Sequence, residues 1–247
     1  FGGPGSWVRD FLIREIVGTR SSEGWGACQI LVYLFNDSFF RLLLVLQIIA
    51  SLICLVSPFF LGGLSSFLGF YLVMFLFLVS LLTSVRWRGT VAGGADSMTL
   101  LILWTLSLAL FGHSRTLSWA KLPILYLGVQ ICLSYFLAGL VKLGQASWRQ
   151  GEAVEVILNR HALPWVKAAF RKSLLRNHQL LAWALISFEL LFSFALLDRR
   201  VLLVACTLGF SFHILNFFVL GLNRFFWSWL ASYPALWVLS EALPGWS

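Results

Sequence analysis

About seven apolar runs, near residues 38–57, 66–85, 97–112, 123–143, 178–197, 200–221 and 224–240, dominate this chain. Each comes close to the roughly 20 residues that a helix needs to cross a bilayer. In hydrocarbon every backbone N–H and C=O must find its partner inside the protein, which a helix achieves within one segment. The expected fold class is an all-α integral membrane protein: a bundle of about seven transmembrane helices with amphipathic helices at the interface. Composition removes the main competitor, because 60% hydrophobic against 11% charged residues excludes an ordinary soluble globule. The 12 Trp and 23 Phe suit a lipid-facing surface bounded by aromatic belts.

Local punctuation divides the runs. Asn36-Asp37-Ser38 offers N-cap side chains to the first, and Pro58 disfavours helix in the residue before it. Gly93-Gly94-Ala95-Asp96 reads as a turn that delivers Asp96 to the N-terminus of the third run, and Pro123 as the start of the fourth. Ser147 and Gln150 have capping-box spacing and predict a surface helix through Glu152, Glu155 and Ile157 that Pro164 interrupts. Residues 1–35 form a separate amphipathic or re-entrant arm: Arg9, Asp10, Arg14 and Glu15 cluster on one side of residues 7–17, while 24–35 is short for a span. Residues 36–247 form the transmembrane domain.

The formal net charge of +8 concerns topology. Basic residues lie between apolar runs, and no soluble domain presents them as a groove, so nucleic acid is not an expected partner. With alternate connections on opposite sides, the N-terminal arm, the 86–96 turn, the basic 144–177 connection and Arg224 fall together. The other side holds Arg115, Lys121, Arg199 and Arg200, which makes the richer side cytoplasmic. Four cysteines stand singly, without a C-x-x-C or a nearby His pair, so no metal site and no redox dithiol is expected.

Polar side chains within the runs need an account of their own. Lys142 closes the fourth run; an ammonium at bilayer depth costs about 2.5–3.5 kcal/mol on insertion scales, so it either snorkels to the headgroups or faces a protein interior. Asp96 can cap its helix, act inside the bundle, or do both. Glu189 has no charged neighbour in its run, so it either meets a cation from another helix or stays protonated as interhelical glue. His213 and Asn216, three apart, share a helix face and can address one ligand together; the plainer reading is a satisfied packing histidine. Gln47 and Gln130 read as interhelical hydrogen bonders, and Phe225-Phe-Trp-Ser-Trp229 as an interface anchor.

Two blocks carry a resemblance. Tyr135-Phe-Leu-Ala-Gly-Leu-Val-Lys-Leu143, followed by Trp148 and Gly151, resembles the core signature of the vitamin K-dependent gamma-carboxylase superfamily and its bacterial relatives, the horizontally transferred transmembrane (HTTM) domain proteins. Phe212-His-Ile-Leu-Asn216 and Leu230-Ala-Ser-Tyr-Pro234 resemble that family's later His-x-x-Asn helix and its Leu-Ala-Ser-x-Pro ending. Weaker similarity at Gly93–Asp96 and Phe188–Leu191 extends the resemblance over roughly residues 36–240.

The resemblance implies a bacterial inner-membrane enzyme. In carboxylases of this superfamily a lysine acts as the weak base toward a reduced naphthoquinone, and the product of the quinone's reaction with oxygen takes a proton from a Glu side chain so that carbon dioxide can add. Lys142 matches that lysine, His213 and Asp96 would complete the catalytic set, and Asn216, Glu189, Tyr135 and Trp148 would bind a reduced naphthoquinone or another lipid quinol. Asp96 stands where the carboxylase has a histidine, and nothing here corresponds to the portion that recognises a carboxylation propeptide. Implied partners are membrane lipids and a peptide or small-molecule substrate. The competing reading is a non-catalytic integral subunit of a larger membrane complex or exporter, with other subunits as its partners.

Overall fold

The structure is a computed structural model and describes residues 36–60, 65–87, 93–113, 116–166 and 168–243. The arm expected over residues 1–35 lies outside the described residues. The chain divides into two compact units, Phe1–Thr116 and Leu117–Ser247. Every element among the described residues is helical, and six helices are long and apolar enough to cross a membrane.

The first unit contains α1 (Asp37–Phe60), α2 (Ser66–Trp87) and α3 (Gly93–His113). α2 packs along α3 and, less extensively, along α1. Small buried side chains allow the close approach: Ala95, Thr105 and Ser107 on α3 are at most 1% exposed. The Thr105 and Ser107 hydroxyls donate back to carbonyls of their own helix, so neither is an orphan in the apolar layer. Gln47 does bond across helices, donating through Nε2 to Ser80 Oγ at 3.2 Å. α1 continues two residues past Pro58, whose ring falls in the last turn. α3 begins at Gly93, so Asp96 is a first-turn residue and not the residue before the helix. Its charge complements the helix N-terminus from there.

The second unit is built on α4 (Leu117–Gly144). Its helix starts six residues ahead of Pro123, which lies inside it. α4 packs against α8 (His178–Leu191) and α11 (Pro234–Ala242). Between α4 and α8 the chain forms α5 (Ala146–Arg149), α6 (Glu152–His161) and α7 (Ala168–Arg176). The expected capping box does not form: Ser147 is inside α5, and α6 starts from Gly151, a left-handed residue with φ 84°. Backbone of that hand suits glycine, so the turn overrides the side-chain signal. α6 carries Val154 and Leu158 on its inner face, packed with Ala182 of α8 and with Val219. The helix expected through Glu152, Glu155 and Ile157 is thus present and amphipathic.

α8 tightens into a 3-10 segment, Phe192–Leu197, before Asp198 caps α9 (Arg199–Leu220) by accepting from the Arg200 N–H at 2.7 Å. α9 ends on Gly221, left-handed at φ 72°, whose N–H returns to the carbonyls of Asn216 and Phe217. α9 meets the α8 arm chiefly through the 3-10 segment, so the two diverge beyond it. The run expected as a seventh span, 224–240, is two short helices, α10 (Asn223–Ser232) and α11, broken at Tyr233–Pro234. Proline has no N–H for the helix ladder and clashes with the preceding turn, which ends α10 there.

Candidate functional site

The space left between the diverging α8 and α9 is a cavity of about 970 Å³, lined also by α4, α6 and α10. Leu181, Leu185, Leu208 and Leu215 line its apolar wall. Polar residues line it in two clusters, and both begin on α4, where Tyr135 and Lys142 are seven residues apart on one helix face.

The first cluster is an ion pair. Lys142 Nζ donates to both carboxylate oxygens of Glu189, at 2.7 and 2.6 Å, across the α4/α8 contact. Their side chains are 18% and 7% exposed, so the lysine does not snorkel; its charge is met inside the bundle. Glu189 thus finds the cation from another helix that its run requires. The Trp148 ring lies 5.1 Å from the ammonium, in cation–π range, and fixes the third side of that charge.

The second cluster is aromatic. Tyr135 Oη lies 2.7 Å from His213 Nε2 and 2.9 Å from Tyr233 Oη, making a buried three-member chain from α4, α9 and the α10/α11 break. The Tyr135 ring stacks on Phe192 at 3.9 Å, and the His213 ring stacks on Trp229 at 5.5 Å with 21° between planes. Two buried nitrogens here have no hydrogen-bond partner among the described residues, His213 Nδ1 and Trp229 Nε1. Native proteins rarely leave such groups unpaired unless a water or a ligand serves them. Asn216 also lines the cavity, one helical turn beyond His213.

Of the residues singled out in the sequence, Tyr135, Lys142, Trp148, Glu189, His213 and Asn216 therefore line one cavity. Asp96 belongs to the first unit, where it is buried in the first turn of α3. The stretch 225–229 is divided: Trp227 is 63% exposed, as an interface anchor would be, but Trp229 is buried against His213. The sequence reading missed Trp229 as a site residue, and Tyr233 with it. Tyr233 stood within the quoted Leu-Ala-Ser-Tyr-Pro block, but the direction of its hydroxyl depends on the helix break that follows.

Gly209 on α9 makes room for that hydroxyl: a Cβ there would collide with Tyr233 Oη. Gly209→Ala is therefore expected to push Tyr233 off Tyr135 and lower stability by about 1 kcal/mol, the net worth of one buried hydrogen bond. A thermal midpoint in detergent identical to wild type would show that the hydroxyl has room to move.

This fold and cavity define a polytopic all-α membrane protein with a paired charge and a polar aromatic cluster held inside one helical unit. Residues 102–239 match the model of the HTTM domain, more than half of the chain, and the chain belongs to that family. No curated protein and no solved structure matches it.

Proposed function

We propose that the cavity binds a reduced naphthoquinone or another lipid quinol, and that the Lys142/Glu189 pair handles the proton of a carboxylase-like reaction in a bacterial inner membrane. The observation that carries this reading is that the Lys142/Glu189 ion pair, His213, Trp229 and Asn216 all line one largely apolar cavity of about 970 Å³. Such a site suits a ligand with a flat apolar body and a few polar atoms. His213, Trp229 and Asn216 would hold its oxygens, and the leucine wall its ring and tail. When bound, the quinol would supply oxygen-dependent generation of a strong base, the chemistry that the carboxylase superfamily uses on Glu side chains.

The residues of the chain do the rest. One proton is shared between Lys142 Nζ and the Glu189 carboxyl, and both placements are neutral overall: ammonium beside carboxylate, or amine beside acid. With the proton on Glu189, Nζ has a free lone pair and accepts a proton from a hydroxyl held in the cavity. The Trp148 face then stabilises the ammonium that forms. Excluding water from the apolar wall strengthens each of these interactions.

Mass spectrometry of lipids and proteins copurifying in mild detergent tests the reading, with wild type compared against Lys142→Ala and His213→Ala. Expected is a quinone present in wild type and depleted at least tenfold in either variant, the loss of about 1.4 kcal/mol of binding. Quinol-dependent turnover should vanish in Lys142→Ala. Turnover that survives in a folded Lys142→Ala protein would remove the lysine from the mechanism. No quinone in any sample, with other subunits at fixed stoichiometry, would favour the non-catalytic subunit.

A further inference from the structure

The Tyr135–His213–Tyr233 chain has two contacts and three protons to place in them. In one order Tyr233 donates to Tyr135, Tyr135 donates to His213 Nε2, and the imidazole proton sits on Nδ1. Only one buried group, Nδ1–H, then lacks a partner. In the reverse order Nε2–H donates to Tyr135 and Tyr135 to Tyr233, which leaves the Tyr233 hydroxyl proton and the bare Nδ1 lone pair both unserved. A third order, with both neighbours donating to Tyr135, strands the Tyr135 proton and Nδ1. Tyr135 is the sole hydrogen-bond partner of the Tyr233 hydroxyl among the described residues. Each buried polar group without a partner is costly, so the first order is favoured.

From this count we infer that Tyr135 is a positioning residue that holds His213, a residue of the cavity wall, as the Nδ1–H tautomer, a hydrogen-bond donor and not a base. Of the rings packed around the imidazole, Phe212, Phe225 and Trp229 contain no acceptor for that proton, and neither tyrosine hydroxyl reaches Nδ1. Trp229 Nε1–H, on the ring stacked over His213, is a second buried donor without a partner. With the proton on Nδ1 both unpartnered groups are donors, and what would satisfy them is an acceptor oxygen: a carbonyl, a carboxylate or a phenolate. The assignment deepens the proposed function by giving His213 a binding role and leaving proton removal to Lys142.

The test reads the tautomer directly and without any ligand, so its result stands whether or not the chain binds a quinol. Protein labelled with 15N-histidine is recorded in detergent, and His213 is assigned by the signals missing from His213→Gln. Expected in wild type is a protonated, pyrrole-type nitrogen at Nδ1 and a bare, hydrogen-bonded nitrogen at Nε2. Tyr135→Phe keeps the ring stack on Phe192 but removes the donor, and the Nδ1–H form should fall from the dominant tautomer to a minority. Tyr233→Phe should leave the tautomer as it is, because the Tyr135 proton still has Nε2 to go to; a general packing defect would disturb both variants alike. A wild-type proton on Nε2, or an Nδ1–H form that persists in Tyr135→Phe, overturns the assignment. If Tyr135→Phe does not fold, the wild-type spectrum alone decides.

Discussion

Glu189→Ala, made alone, is expected to cost about 3–5 kcal/mol, because it leaves the Lys142 ammonium buried without its carboxylate. The pair is held by two short bonds, at 2.6 and 2.7 Å, and its side chains are 18% and 7% exposed, so little water is available to replace the lost partner. Lys142→Met alone should cost less. A lone carboxylate at 189 can take up a proton and become a neutral hydrogen-bonding acid. The double variant Lys142→Met/Glu189→Leu should recover most of the loss, since hydrophobic residues of similar volume often replace a buried pair at no net cost. Stability measured for all four proteins in the same detergent gives the coupling between the two sites. Single variants as stable as wild type would mean that water reaches the pair freely. The double variant also separates stability from chemistry: it should fold well and turn over no quinol-dependent substrate.

The second large effect concerns how closely the helices approach. Gly139 of α4 faces α8 so tightly that a Cβ would lie 2.9 Å from the backbone nitrogen of Leu190. A backbone atom cannot swing aside as a side chain can, so Gly139→Ala must move α4 away from α8, at a cost of about 1–3 kcal/mol. That contact also sets the reach of Lys142 to Glu189, since one member of the pair is three residues beyond Gly139 and the other is next to Leu190. Quinol-dependent activity should therefore fall with stability. Gly144, at the end of the same helix, is the control: a Cβ there would meet nothing within 4 Å, and Gly144→Ala should lose nothing. Equal midpoints for Gly139→Ala and Gly144→Ala in a thermal scan would refute the close-packing argument.

Much of the architecture was legible in the sequence because its cause is local. Whether a run such as 38–57 or 200–221 can cross a bilayer depends on its own length and hydropathy. The polar residues within the runs were legible as exceptions for the same reason: a charge in hydrocarbon needs an explanation wherever it stands. Lys142, Glu189 and His213 could be named from the amino-acid string alone as polar residues in need of an account, with snorkelling open for Lys142 and a protonated state for Glu189.

Which partners they take is a property of the tertiary structure. Lys142 reaches Glu189 across 47 positions, His213 meets Tyr135 across 78, and Tyr233 meets Tyr135 across 98. No spacing rule within one helix extends over such separations, because they are set by how α4, α8, α9 and the break at Tyr233–Pro234 pack. The same packing divided the aromatic stretch 225–229 between lipid and site, and it opened the cavity by letting α8 and α9 diverge past their 3-10 junction. The sequence alone determined a membrane-spanning helical chain containing charges in need of an account, since burial in lipid constrains each segment by itself. Only the tertiary structure decided that Lys142 is neutralised by Glu189 and that His213 is held by a tyrosine, since hydrogen-bond partners depend on distances between segments.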